Sequence, residues 1–237
     1  MKHKIAKVLS AAVFLAAAIL FLATFGKSAL LKSYVYTGIG SCRNIPILCN
    51  MPEKEINNPH IDRDYLQRLL PYTFADIRIS MPKGFTVIRG EIRKVYYKKW
   101  RKAEKASAAY LLYRKPNYFI DLFPNLLKKG VKDDYDFITR MRNASPDTIS
   151  SVTDTFFVVM KSIFTPDLGD QKTAIVVKFR SGDKRGFISY NLGAKENYFD
   201  CEIIDNRGDF FKVYIRDKRR VLDLDKVFAI ISTVNKP

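Results

Sequence analysis

Val8 to Phe25, VLSAAVFLAAAILFLATF, runs for 18 residues without a charge and with only Ser10 and Thr24 polar. No other segment restricts the architecture as much. As a helix rising about 1.5 Å per residue it would reach roughly 27 Å, close to the thickness of a hydrocarbon core. Residues 1–7, MKHKIAK, place three lysines ahead of it. Short lysine-rich flanks stay cytoplasmic, so the remainder of the chain is expected on the other side of the membrane. A cleaved signal peptide is the competing reading. Its apolar core would be long, and the best small-x-small site, Thr24-Phe25-Gly26, is a poor match. The expected organisation is a cytoplasmic tail (1–7), a transmembrane signal anchor (8–25), an extracytoplasmic tether (26–60) and one globular domain (61–237).

Compartment sets the reading of the cysteines. Cys42 and Cys49, in SCRNIPILCN, are candidates for a disulfide loop just beyond the membrane, which an oxidising envelope permits. Cys201 alternates with Phe199 and Ile203 in YFDCEII and reads as a small buried hydrophobe.

Pro46, Pro52, Pro59 and Asn57-Asn58 break any period before residue 60, hence the tether. Ile61, Tyr65, Leu66 and Leu69 recur at helical spacing up to Pro71. Ile77, Ile79 and Met81 alternate with polar residues, and Pro-Lys-Gly (82–84) would turn that strand into Phe85, Val87 and Arg89 as a hairpin. Residues 91–100 fit strand or helix; 108–114 reads as a strand. Three helices follow: NYFIDLFPNLLKKG, ended by Gly130; DDYDFITRMRNA; and one started by Ser145 and Pro146, with Ile149, Val152, Phe156, Met160 and Ile163 as its inward stripe. Strands are expected at 173–180, 185–191, 198–205 and 210–216, joined by short turns and therefore antiparallel. Asp223 caps a last helix, DLDKVFAIISTV. The fold class is α+β: an antiparallel sheet with helices packed on one face.

Several motifs fail on their spacing. KGFTVIRG (83–90) opens like an RNA-recognition strand, but Val87 stands where an aromatic is needed. Gly26-Lys27-Ser28 lacks the earlier glycine of a phosphate-binding loop. Arg207-Gly208-Asp209 reads as a turn, and Asn143-Ala144-Ser145 fits a glycosylation acceptor. The acidic clusters lack the alternation of a Ca²⁺ loop, so no metal is assigned. His3 and His60 are the only histidines, and both precede the expected domain. A His-based triad or His-containing zinc site is excluded there, and no dinucleotide fingerprint is found, so no cofactor is assigned.

The chain carries a formal charge of +17. Lys83 to Lys115 holds eleven Lys/Arg against Glu91 and Glu104, more than half of that excess. Its centre, VYYKKWRK, mixes cations with aromatics. Arg93, Lys94, Tyr97, Lys98, Lys99, Trp100, Arg101 and Lys102 are the candidate binding residues. A lysine-rich edge that keeps the sheet from pairing with other chains explains them without a ligand. An anionic envelope component or an acidic partner protein is the functional alternative; nucleic acid is the least favoured partner, because the topology places the stretch outside. The expectation is a membrane-embedded, non-enzymatic binding or scaffold module of the cell envelope. Its rivals are an enzyme built on two convergent carboxylates and a soluble exported protein.

Overall fold

The computed structural model describes residues 26–74, 76–83, 85–88, 93–97, 108–193 and 195–237. Among these residues no helix is long and apolar enough to cross a membrane. The candidate span Val8–Phe25 lies outside the described residues.

In chain order the elements are α1 (Lys27–Gly38), β1 (Lys54–Asn57), α2 (Arg63–Gln67), β2 (Leu69–Phe74), β3 (Ile77–Pro82), β4 (Phe85–Ile88), β5 (Arg93–Tyr97), β6 (Ala108–Arg114), α3 (Tyr118–Leu122) and α4 (Asp134–Asn143). There follow α5 (Val152–Phe164), β7 (Ile175–Ser181), β8 (Lys184–Leu192), β9 (Asn197–Ile204), β10 (Phe210–Asp217) and α6 (Leu224–Ser232). They fall into two compact units. One joins the chain up to Cys49 with Ala144–Phe164; the other comprises Asn50–Asn143 and Thr165–Pro237.

The smaller unit packs α1 along α5. Val35, Ile149 and Val158 form its buried centre, with Leu31, Ile39 and Ala144 against them. Ser28 Oγ donates to the carbonyl of Ile149 at 2.6 Å, and Tyr36 donates its hydroxyl proton to Asp147 Oδ1 at 2.7 Å. Ser145 does act as a cap, but only for a 3-10 turn over Pro146–Thr148. Ile149 is then extended, and α5 starts at Val152. What starts it is a reciprocal box: Asp154 N–H donates to Ser151 Oγ at 3.1 Å, and Ser151 N–H donates to Asp154 Oδ2 at 2.9 Å. The buried side of α5 also differs from the expected stripe. Thr155, Phe157, Val158, Met160 and Lys161 are buried, whereas Val152 and Ile163, expected inward, are 62% and 67% exposed.

The larger unit is an α+β body around an eight-stranded sheet of order β1-β7-β8-β9-β10-β6-β5-β4. β7 to β10 form a continuous antiparallel meander, and β6 joins β10 antiparallel. The expectation of a purely antiparallel sheet is corrected at one edge, where β1 pairs parallel to β7, Lys54 opposite Val177 and Asn57 opposite Arg180. A strand thus stands inside the stretch read as a tether, as does α1. The expected hairpin over 77–89 is also corrected. β3 pairs with β2 in a separate two-stranded sheet, while β4 pairs with β5 in the large one. Pro71, expected to end a helix, lies within β2.

Alternation along the strands separates two faces. Phe199, Cys201, Ile203, Val213 and Ile215 point to one face, where α6 and β3 cover them through Val227, Phe228, Ile230, Ile79 and Met81. The opposite face receives α3 and α4: Phe119 stacks on Phe137 at 4.5 Å and meets Phe210 edge-on at 5.4 Å, and Tyr135 lies 6.2 Å from Phe187. Helices therefore cover both faces rather than one. The segment from Tyr118 to Gly130, expected as one helix, breaks at Phe123 into α3 and a 3-10 turn over Pro124–Lys129. Pro124 has no amide hydrogen to continue α3. Gly130 does close the segment, in the left-handed conformation (φ 77°).

Candidate functional site

Of the candidate binding residues, Arg93, Lys94 and Tyr97 lie on β5, an inner strand between β4 and β6. The backbone pairs Arg93 with Leu111 and Lys94 with Tyr110. Lys98, Lys99, Trp100, Arg101 and Lys102 lie outside the described residues.

Cys42 and Cys49 are joined in a disulfide, with Cα atoms 5.5 Å apart. The bridge closes the loop after α1 and sits beside the 145–148 turn. Asp147 brings a carboxylate oxygen within 3.3 Å of Cys42 Sγ, and Ser145 Oγ is 3.5 Å from Cys49 Sγ. Among the described residues these two cysteines and Asp147 are the one trio of metal-ligating side chains that converges. With the sulfurs bonded to each other, no thiolate is left to bind an ion.

A more demanding arrangement is one that the sequence did not single out. On the α4-facing side of the sheet, Asp200 and Glu202 of β9, Lys212 of β10 and Arg142 of α4 form a buried charge quartet. Asp200 is 0% exposed, Glu202 and Arg142 1%, and Lys212 5%. Arg142 Nε donates to Glu202 Oε2 at 2.7 Å and its Nη2 to Asp200 Oδ2 at 3.1 Å. Lys212 Nζ stands 3.3 Å from Asp200 Oδ2 and 3.7 Å from Glu202 Oε1. Each carboxylate thus shares both cations, and the four charges cancel.

The two acids titrate in opposite directions. Burial raises the Asp200 carboxyl, with the Glu202 charge adding to it, against the pull of Lys212 and Arg142. Burial works on Glu202 in the same way, but Arg142 and Lys212 outweigh it and hold the carboxyl below its ordinary range. The asymmetry has a geometric counterpart. Asp200 Oδ1 has no hydrogen-bond partner, and neither does Ser189 Oγ, on the residue directly across the ladder.

These are two convergent, perturbed carboxylates, the feature expected of a carboxylate enzyme. They are nonetheless sealed at 0% and 1% exposure, with both charges spent on fixed side-chain cations. Their chemistry is that of a clamp between α4 and the sheet. The sequence signal was present but ambiguous: in YFDCEII and FFKVYIRD the polar residues alternate with apolar ones, which is equally the pattern of a strand with a wet face.

The remaining singled-out groups have local roles. Arg207 lies 3.3 Å from Asp205 and 3.4 Å from Asp209, and Asp209 also accepts from Tyr113 at 2.7 Å, so Arg-Gly-Asp is an internally paired turn with Gly208 at φ 86°. Asp134 accepts the amides of Phe119 and Ile120. Asp223 caps α6. His60 faces Asp225 at 3.6 Å, both exposed, beside an open cavity of about 680 Å³ lined by Pro59–Asp64 and Leu66. No protein-family model and no curated protein matches the chain.

Proposed function

We propose that the chain is a single-pass membrane protein whose α+β body lies outside the cytoplasm and acts as a non-enzymatic binding or scaffold module for an anionic component of the envelope. The observation that carries the reading is the uncharged run Val8–Phe25, preceded by three lysines within residues 1–7. The Cys42–Cys49 disulfide fits an oxidising compartment. The burial of the quartet favours binding over carboxylate catalysis, and the excess of positive charge selects the partner's sign.

The test has two parts. A reporter active only outside the cytoplasm, fused after Pro237, is expected to be active; activity of a cytoplasm-only reporter instead would end the topology. Replacing Lys94, Lys98, Lys99, Arg101 and Lys102 together with Gln is expected to weaken retention on an anionic polymer roughly ten-fold or more at low salt, with the loss shrinking as salt rises. Unchanged retention would remove that segment from the binding surface.

A further inference from the structure

The cysteine–aspartate trio of the smaller unit is closed to a metal ion only while its two sulfurs are bonded to each other. Every chain is made with its cysteines as thiols, and a reducing dithiol returns a disulfide to that state. As thiols, Cys42 and Cys49 join Asp147 in offering three ligand atoms that lie within 4.8 Å of one another.

We infer that the thiol form of the 42–49 loop is a zinc site, with Cys42 and Cys49 as thiolate ligands, Asp147 as a carboxylate ligand and the fourth position open to water. The loop is then cross-linked in one of two exclusive ways, by a sulfur–sulfur bond or by a metal ion. Opening the bond takes two electrons and two protons from the dithiol, which leaves as its own disulfide. Zn²⁺ then displaces the two thiol protons.

The spacing suits the ion. A tetrahedral zinc, with Zn–S near 2.3 Å and Zn–O near 2.0–2.2 Å, sets its ligand atoms about 3.5–3.8 Å apart. Cys42 Sγ already lies 3.3 Å from Asp147 Oδ2. The two cysteine Cα atoms are 5.5 Å apart, so rotation of the side chains opens the sulfurs to that separation.

The backbone gathers the ligands without help from the sulfur–sulfur bond. The Asn44 and Ile45 amides donate to the Ser41 carbonyl at 3.0 and 2.8 Å, and the Cys49 amide donates to that of Pro46 at 2.9 Å. Ile47 and Leu48, in the 3-10 turn before Cys49, are buried. Asp147 is fixed in its own turn, where its amide donates to Ser145 Oγ at 3.3 Å.

The ligands also have outer partners of the kind that orient metal-binding groups. Tyr36 donates its hydroxyl proton to Asp147 Oδ1 at 2.7 Å, which leaves Oδ2, the oxygen beside the sulfur, for the ion. Ser145 Oγ, 3.5 Å from Cys49 Sγ, is placed to donate to a thiolate there. Sulfur ligands exclude Mg²⁺ and Ca²⁺, which take oxygen. The cysteines are half-buried and Asp147 is exposed, so the ion enters directly from solvent.

The full chain, solubilised in detergent, is opened with a water-soluble phosphine, which leaves as its oxide with the oxygen of water and does not hold zinc as dithiols do. Freed of reagent, it is titrated without oxygen with Zn²⁺ against a chromophoric chelator, beside the disulfide form. Cys201 is a buried thiol in both forms, so the difference isolates the pair. The thiol form is expected to bind one Zn²⁺ per chain beyond any uptake by the disulfide form, and Co²⁺ in its place should show thiolate charge-transfer absorption. Cys42→Ser should remove that extra equivalent. Asp147→Asn and Tyr36→Phe, each first shown to close the disulfide normally, are expected to weaken Zn²⁺ binding about ten-fold or more. Equal uptake by the two forms, or a Co²⁺ spectrum without thiolate absorption, would overturn the site. Undiminished affinity in Asp147→Asn would overturn the trio.

Discussion

Arg142 has a single residue's leverage over two acids. Removing its guanidinium leaves Asp200 and Glu202, both buried, with Lys212 alone. Breaking a buried pair from one side strands a charge, so Arg142→Met is expected to cost about 3–5 kcal/mol, read as a fall in the urea midpoint. The acids should answer differently to pH. Asp200 binds its proton more tightly folded than unfolded, so it withdraws stability as pH rises from about its ordinary 3.8 through its raised folded value. Glu202 is the reverse: its contribution is full above its ordinary 4.5 and is lost as pH falls through its depressed folded value. Asp200→Asn is therefore expected to flatten the decline of the urea midpoint that sets in as pH rises above about 3.8. Glu202→Gln should be the costlier change at pH 7. The opposite ranking would contradict the assignment of the two roles. Nothing in the sequence alone could have distinguished these acids from surface ones. Their burial depends on α4 landing on that face, and Arg142 lies far from both in the chain.

Elements with their own punctuation were legible; those defined by distant pairing were not. The strands from β7 to β10 and the last helix sit where turn residues and the Asp223 cap put them. Asp223 Oδ1 accepts the Lys226 amide at 3.0 Å, so Asp223→Ala should cost about 1 kcal/mol in thermal or urea unfolding. The 77–89 hairpin failed because Pro-Lys-Gly supplies turn chemistry without specifying a pairing partner. β3 instead finds β2, and its Arg78 bridges to Asn235 near the other end of the chain. The start of α5 was misread for a related reason. Ser145-Pro146-Asp147 and Ser151-Val152-Thr153-Asp154 both carry start signals, and only the second has an acid at the position that reaches back to the cap amide.

At the scale of the molecule, the apolar run and the charge imbalance were plain in the sequence, whereas the division into two units was not, because residues 26–49 and 144–164 come together from far apart. The Cys42–Cys49 bridge lies wholly within the first of these segments and restrains only a short loop, so the chain-entropy account gives it about 2–3 kcal/mol. Cys42→Ser with Cys49→Ser is expected to speed proteolysis in the α1–α5 unit more than in the sheet, read from the order in which fragments appear. Equal acceleration across the chain would mean that the bridge supports the whole fold.

The strand order also governs when the larger unit can exist. Its centre, β7 to β10, is made of residues beyond Ile175, and strands made earlier attach to its margins: β1 beside β7, β6 beside β10. During synthesis β2 with β3 and β4 to β6 can pair among themselves, but β1 has no ladder to join, and β6 no second neighbour, until the meander beyond Ile175 is made. Sheets closed by such distant pairings form slowly, and their waiting strands are prone to associate with other chains. Assembly of this body is thus a late event in its biosynthesis, and a holding chaperone would be needed most before the meander emerges.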